Sequence, residues 1–151
     1  MLFRSAHVSN NNIYVEDIDS GKITQLTKDG SDTIVNGTFD WVYEEEFSCR
    51  DGFRWSPDGK HIAYWQSDTK GTGVFDIINN VDSIYAKVIH FPYPKAGTTN
   101  SAVKVGYVSS TGGNTTWIAI PGALTYLTNP KYEKHLYKTR EIGRASCRER
   151  V

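Results

Sequence analysis

The stretch Ser56-Pro57-Asp58-Gly59-Lys60 limits this chain more than any other, because it reads as a tight reversal. Proline presets φ for the second turn position and glycine accepts the positive φ that closes the turn. Phe53-Arg54-Trp55 leads in and His61-Ile62-Ala63-Tyr64-Trp65-Gln66 leads out, so an antiparallel hairpin is expected over residues 53–66. The same logic applies to residues 12–27: β-rich Ile13–Ile18, the turn Asp19-Ser20-Gly21-Lys22, then Ile23–Thr27. Further strands are expected at Ser83–Phe91, Ala102–Ser109 and Thr116–Ile120, the last two separated by Gly112-Gly113-Asn114. No amphipathic helix longer than two turns is evident, and the expected class is all-β.

Both ends stand apart from this rhythm. Residues 141–151 match, letter for letter, the translation of a common sequencing adapter, and Leu2-Phe3-Arg4-Ser5 matches its opposite end. Residues 1–5 and 141–151 are therefore read as scars, expected to pack against nothing, around a natural segment 6–140. An upstream GTG start written as Met1 points to a prokaryotic source. Setting the scars aside lowers the 17 basic side chains by four and the 17 acidic ones by two, for a formal net charge of −2. No clustered basic face suggests nucleic acid. Hydrophobic content of 38% with 13% aromatics fits a folded, strand-rich chain. Only Cys49 remains outside the scars, so an intrachain disulfide is not expected.

The segment Asp40-Trp41-Val42-Tyr43-Glu44-Glu45-Glu46-Phe47-Ser48 breaks the hairpin pattern. Asp40 can cap a short helix, which would put Glu44, Glu45 and Glu46 in its opening turns, where the positive end of the macrodipole relieves their repulsion. Three consecutive carboxylates beside buried aromatics destabilise a fold unless a cation arrives, so the segment reads as a receptor for positive charge. The plain alternative is a solvated acidic helix face. The aromatic frame of Trp41, Tyr43 and Phe47 favours the receptor, with Trp41 and Tyr43 as packing residues that support it.

This segment resembles the double-glutamate motif of the dipeptidyl peptidase IV family, prolyl oligopeptidase class serine peptidases. The resemblance covers most of residues 12–122, including Arg50–Gln66, Asn79–Ser83 and Tyr93-Pro94-Lys95-Ala96-Gly97, the last read as a stiff connector. It implies that Glu45 and Glu46 bind the α-ammonium of a peptide substrate, with Asp40, Trp41, Tyr43 and Glu44 in support. The pairing of Asn12–Thr27 with Trp55–Tyr64 likewise resembles a β-propeller blade repeat. The expected architecture is a partial β-propeller of about three blades with a short inserted helix, too little to close a ring or to be stable alone. Ala86 and Ser101 depart from the proline common at those positions in relatives, and both are read as affecting only backbone stiffness.

The triad of such a peptidase has no counterpart here, since no Gly-x-Ser-x-Gly elbow occurs. The resemblance implies a C-terminal α/β-hydrolase domain in the parent chain, release of N-terminal dipeptides after Pro or Ala, no cofactor, and export to a bacterial periplasm or surface. Di- versus tripeptide release and a homodimeric parent stay open. So does a non-catalytic propeller acting as a peptide- or protein-binding module. His7, His61, His90 and His135 lack zinc-site spacing and are read as structural or surface residues. Asn36-Gly37-Thr38 and Asn114-Thr115-Thr116 fit the glycosylation pattern. Residues 124–140 carry no assignable motif.

Overall fold

A computed structural model describes residues 3–119 of the chain. Among the described residues ten strands form three antiparallel sheets and five residues form one short helix, so this part of the chain is mostly β. The first sheet orders β1 (Arg4–Ser9), β2 (Asn12–Asp17) and β3 (Lys22–Gln25) side by side. Asn10 and Asn11 both take positive φ, 47° and 58°, the mirror-image turn that suits a two-residue hairpin. At the β2–β3 turn, Gly21 has φ 68°, and Asp17 accepts from the Ser20 hydroxyl (2.7 Å) and amide (2.9 Å). Those two bonds favour the carboxylate and hold the Asp17 pKa below its ordinary value.

The second sheet is built around β6 (His61–Asp68), with β9 (Ala102–Ser109) along one side and β10 (Thr116–Trp117) beyond it. The other side of β6 holds two short strands. β4 (Ile34–Asn36) pairs with Gln66–Asp68, and β5 (Phe53–Trp55) pairs with Ile62–Tyr64. They occupy successive stretches of one edge, as if a single strand had been cut and residues 37–52 inserted. The third sheet is a ribbon of β7 (Val74–Asn79) and β8 (Lys87–Pro92).

Ile13, Val15 and Leu26 from the first sheet and its exit meet Ile62, Tyr64 and Val108 from the second in one buried cluster, edged by Ala6, Val8, Phe53 and Trp55. Each such side chain contributes about 1.5–3 kcal/mol on burial. The period-two alternation of β6 puts Ile62 and Tyr64 inward while His61 and Ala63 face out. The Tyr64 hydroxyl keeps a partner, Thr115 Oγ1 at 2.7 Å, yet burial still raises its pKa above the ordinary value.

Both expected hairpins form, and β9 spans the residues expected of it. The strand expected from Ser83 begins only at Lys87. Asn79 Oδ1 accepts from the amides of Val81 and Asp82, and Ser83 Oγ donates to the Tyr85 carbonyl, which turns the chain through 79–85. Strands β1, β4 and β7 are additions to those expected. Ile120 lies outside the described residues, as do His135 and residues 124–140.

The expectation that residues 1–5 join no sheet is wrong for the part described. Arg4 and Ser5 pair with Asp17 and Glu16, and Phe3 O accepts from Ile18 N at 2.9 Å. A backbone ladder needs no particular side chain, so the open edge of β2 takes up whatever extended segment precedes the turn. Arg4 adds side-chain contacts: its guanidinium lies over Trp55, 5.4 Å from the ring centre, and donates to Gly59 O and Ser110 Oγ, each at 2.8 Å. Residues 141–151 lie outside the described residues.

Candidate functional site: the helix on the strand insertion

Three backbone bonds fasten the insertion at its root. Gly37 N donates to Trp65 O (2.9 Å), Trp65 N to Gly52 O (2.9 Å), and Gly52 N to Gly37 O (3.1 Å). Trp65 is the β6 residue between the stretches that β4 and β5 use, so the chain leaves and rejoins the sheet at one point. Both glycines are required by space. A Cβ on Gly52 would stand 2.6 Å from the Gly37 carbonyl carbon, and one on Gly37, at φ 72°, would stand 2.7 Å from Ile13 Cγ1. Asn36, beside this root, is fully buried, and its amide nitrogen donates to Asn11 O and Asp29 Oδ1. The glycosylation pattern at Asn36 is therefore buried and bonded, while Asn114 is exposed.

On the insertion sits α1 (Trp41–Glu45), capped by Asp40 as expected. Asp40 has extended backbone (φ −73°, ψ 171°), and its Oδ1 accepts from Tyr43 N at 3.1 Å. Its other oxygen, Oδ2, accepts from the hydroxyl of buried Ser101 at 2.5 Å. Ser101 therefore bears directly on the cap, which corrects the reading that it affects only backbone stiffness. Behind it stands buried Thr72, 3.4 Å from Ser101 Oγ.

Trp41 and Tyr43 pack on opposite partners. Trp41 lies 5.2 Å from Phe91 and 5.1 Å from Tyr93 between ring centres, which docks the helix on the root of the β7–β8 ribbon. The Tyr93–Gly97 connector thus also supports the helix. Tyr43 stacks with Phe39 (5.8 Å) and Phe47 (5.5 Å). Burial first, and then the negative charge on Asp40 and Cys49, push the Tyr43 hydroxyl up to about 12.

The glutamates do not sit where the capping argument placed them. The helix ends after Glu45, Glu46 is its C-cap, and only Glu44 lies in the first turn. Ser48 then takes the left-handed conformation, φ 53°, and Cys49 N turns back to Tyr43 O at 3.0 Å. Glu45 and Glu46 are consequently beside the free carbonyls of the helix end, where backbone dipoles add to their negative field rather than relieve it. Both are exposed, whereas Glu44 is partly buried. Among the described residues the ion pairs are Arg54–Asp51 and His90–Asp76, so none of the three glutamates is paired. The arrangement is an anchored negative prominence able to receive a cation.

Of the groups that hold this prominence, the Asp40 cap and the packing of Trp41 and Tyr43 follow from the sequence pattern, whereas the root glycines, Ser101 and Thr72 do not. Gly37 and Gly52 carry no motif that marks the root, although a glycine at each border of a helix inserted between strands is a usable signal. Ser101 and Thr72 are far from Asp40 in sequence and carry no signal of their contact. Among the described residues no group of three or more His, Cys, Asp or Glu is placed to hold a metal ion. His7 stacks on Tyr14, His61 meets the Tyr107 ring edge-on, and His90 Nδ1 lies 2.6 Å from Asp76 Oδ1.

The fold and site define a mostly-β chain whose polar feature is carried on an insertion rather than on a sheet. Residues 4–138 match the family described as the dipeptidyl peptidase IV (DPP IV) N-terminal region, and the chain belongs to that family. It is 39% identical over 103 residues to pig dipeptidyl peptidase 4, covering 66% of this chain and 13% of that protein. Mouse prolyl endopeptidase FAP is 38% identical over 108 residues, 70% of this chain and 14% of that protein. The crystal structure of Porphyromonas gingivalis dipeptidyl peptidase 4 superposes with a TM-score of 0.71 at 32% identity, over 78% of this chain and 17% of that one. The chain thus spans roughly a seventh of the length of these curated relatives.

Proposed function

We propose that the chain is part of the β-propeller of a dipeptidyl peptidase IV-like serine exopeptidase exported by a bacterium, and that Glu45 and Glu46 bind the substrate's α-ammonium. One observation carries the reading: the fold anchors a short helix at its root, its cap and its Trp41 face, and the two carboxylates at its end have no cationic partner among the described residues. A ligand ammonium supplies the missing charge through charge-assisted hydrogen bonds, and a fixed depth measures the scissile bond from the peptide N-terminus. Catalysis then belongs to a hydrolase domain of the parent chain that follows this region. Glu45 and Glu46 are exposed here, so exclusion of water around the bound ammonium falls to that domain.

The test uses the full-length protein. Glu45→Gln and Glu46→Gln each remove one partner of a charged pair, worth roughly 3–5 kcal/mol in a water-excluded site. That corresponds to about a hundred- to a few-thousandfold in kcat/KM on a free dipeptidyl substrate. Glu44→Gln has a much smaller effect, because Glu44 is partly buried in the first turn of the helix while Glu45 and Glu46 are exposed together at its end. N-acetylating the substrate erases most of the difference between wild type and the two variants. Equal cleavage of free and acetylated peptides by wild type would reject the ammonium clamp, and one relative is named an endopeptidase.

A further inference from the structure

Ser101 has one hydroxyl proton, and the 2.5 Å contact commits it to Asp40 Oδ2. At the 3.4 Å contact Thr72 is therefore the donor and Ser101 the acceptor, a weak bond at this length. The result is a one-way relay. Thr72, in the β6–β7 connection, points to Ser101 at the start of β9, Ser101 points to Asp40, and the other oxygen of Asp40 takes the Tyr43 amide. Thr72, Ser101 and Asp40 are all buried, so no bond in it is readily replaced by water. The root at Gly37 and Gly52 fixes where the insertion leaves the sheet, but leaves the orientation of its helix open. Ring contacts reach the helix from Trp65 through Phe39 to Tyr43 and from Phe91 and Tyr93 to Trp41, while Asp40 is the point at which the main sheet, through Ser101, reaches its cap by directional hydrogen bonds.

We infer that Ser101 is a positioning residue for the glutamate-bearing helix, acting through Asp40. It holds the carboxylate in the rotamer that caps Tyr43, and through the cap sets the direction in which Glu45 and Glu46 face. This builds on the ammonium-binding reading, since it names a further determinant of the same site. Without the hydroxyl, Asp40 keeps its charge in a buried place with one partner fewer, and the carboxylate turns toward water at the expense of the cap.

The experiment compares wild type, Ser101→Ala and Ser101→Thr in the full-length protein. The first readout is hydrogen exchange of the segment Trp41–Glu46. Ser101→Ala is expected to speed it about tenfold, and Ser101→Thr, which restores a hydroxyl, to return it toward wild type. The second is steady-state kinetics on a dipeptidyl anilide with a free amino group. Ser101→Ala is expected to raise KM about tenfold with kcat within about twofold, and Ser101→Thr to restore KM. A merely structural residue would lower the amount of active enzyme and leave KM alone. Unchanged exchange overturns the inference. So does faster exchange with unchanged KM when Glu45→Gln and Glu46→Gln do raise KM. If those two variants are silent, the ammonium reading has failed, and the exchange result alone decides whether Ser101 orients the helix.

Discussion

Tyr43 shows how one residue can serve packing and report on it. Its ring lies between Phe39 and Phe47, and its amide takes the Asp40 cap, so the motif's second aromatic joins the helix to its support. The phenol is neutral when protonated, and burial therefore favours the protonated form and raises the folded-state value to about 12. In the unfolded chain it titrates near 10. The native state then holds a proton that the unfolded state has lost, so this contribution is complete below pH 10 and lost as pH rises from 10 to 12. Two pH units correspond to about 2 kcal/mol after allowance for the part of the ring that solvent reaches. Tyr43→Phe is expected to flatten the stability curve over that window, and the wild-type minus variant difference in phenolate absorbance is expected to have its midpoint near pH 12. A midpoint near 10 would show that the ring is open to water.

At the scale of elements, the split edge strand matters most. β4 and β5 share the edge of β6, and residues 37–52 leave and return through Gly37, Trp65 and Gly52. A methyl group at Gly52 meets backbone atoms at 2.6–2.8 Å, and backbone gives way far less readily than a flexible side chain. Gly52→Ala is expected to destabilise the full-length protein by about 1–3 kcal/mol, the cost of overpacking a tight site, and to loosen the helix with it. Denaturant unfolding checks the first, and exchange across Trp41–Glu46 the second. Gly21→Ala, where a Cβ meets no atom within 4 Å, serves as a control that carries only the positive-φ penalty.

At the scale of the whole molecule, the described residues bury few large side chains and leave much apolar surface uncovered. The core cluster holds six buried residues, while Ile78 is 63% exposed, Val88 53% and Val74 64%. These belong to a two-stranded ribbon, an element that is marginal in water without something packed on it. Expressed alone, the chain is expected to self-associate, because exposed apolar strands and open sheet edges pair readily. Sedimentation velocity should show species larger than a monomer. Replacing the cross-strand pair Ile78 and Val88 by Lys and Glu should shift the distribution toward monomer. A wild-type chain that stays monomeric at all concentrations would contradict the expectation.

What the amino-acid sequence determined by itself is what depends on near neighbours. Pro57 and Gly59 made one hairpin and Gly21 another, period-two alternation sent Ile62 and Tyr64 inward, and Asp40 capped the helix, because each effect acts within a few residues. The triple glutamate was legible as a charge without a local partner for the same reason. One local effect left no motif to read: Ser48 and the Cys49–Tyr43 bond turned the chain back and stopped the helix at Glu45, so Glu45 and Glu46 lie at the helix end and not in the expected opening turns. Tertiary structure alone decided what came from afar. Ser101 lies 61 residues from Asp40, and only the pairing of β9 with β6 brings its hydroxyl to the cap. Arg4 and Ser5 joined a sheet because β2 offered an unpaired edge, and a backbone ladder takes an extended segment whatever its side chains.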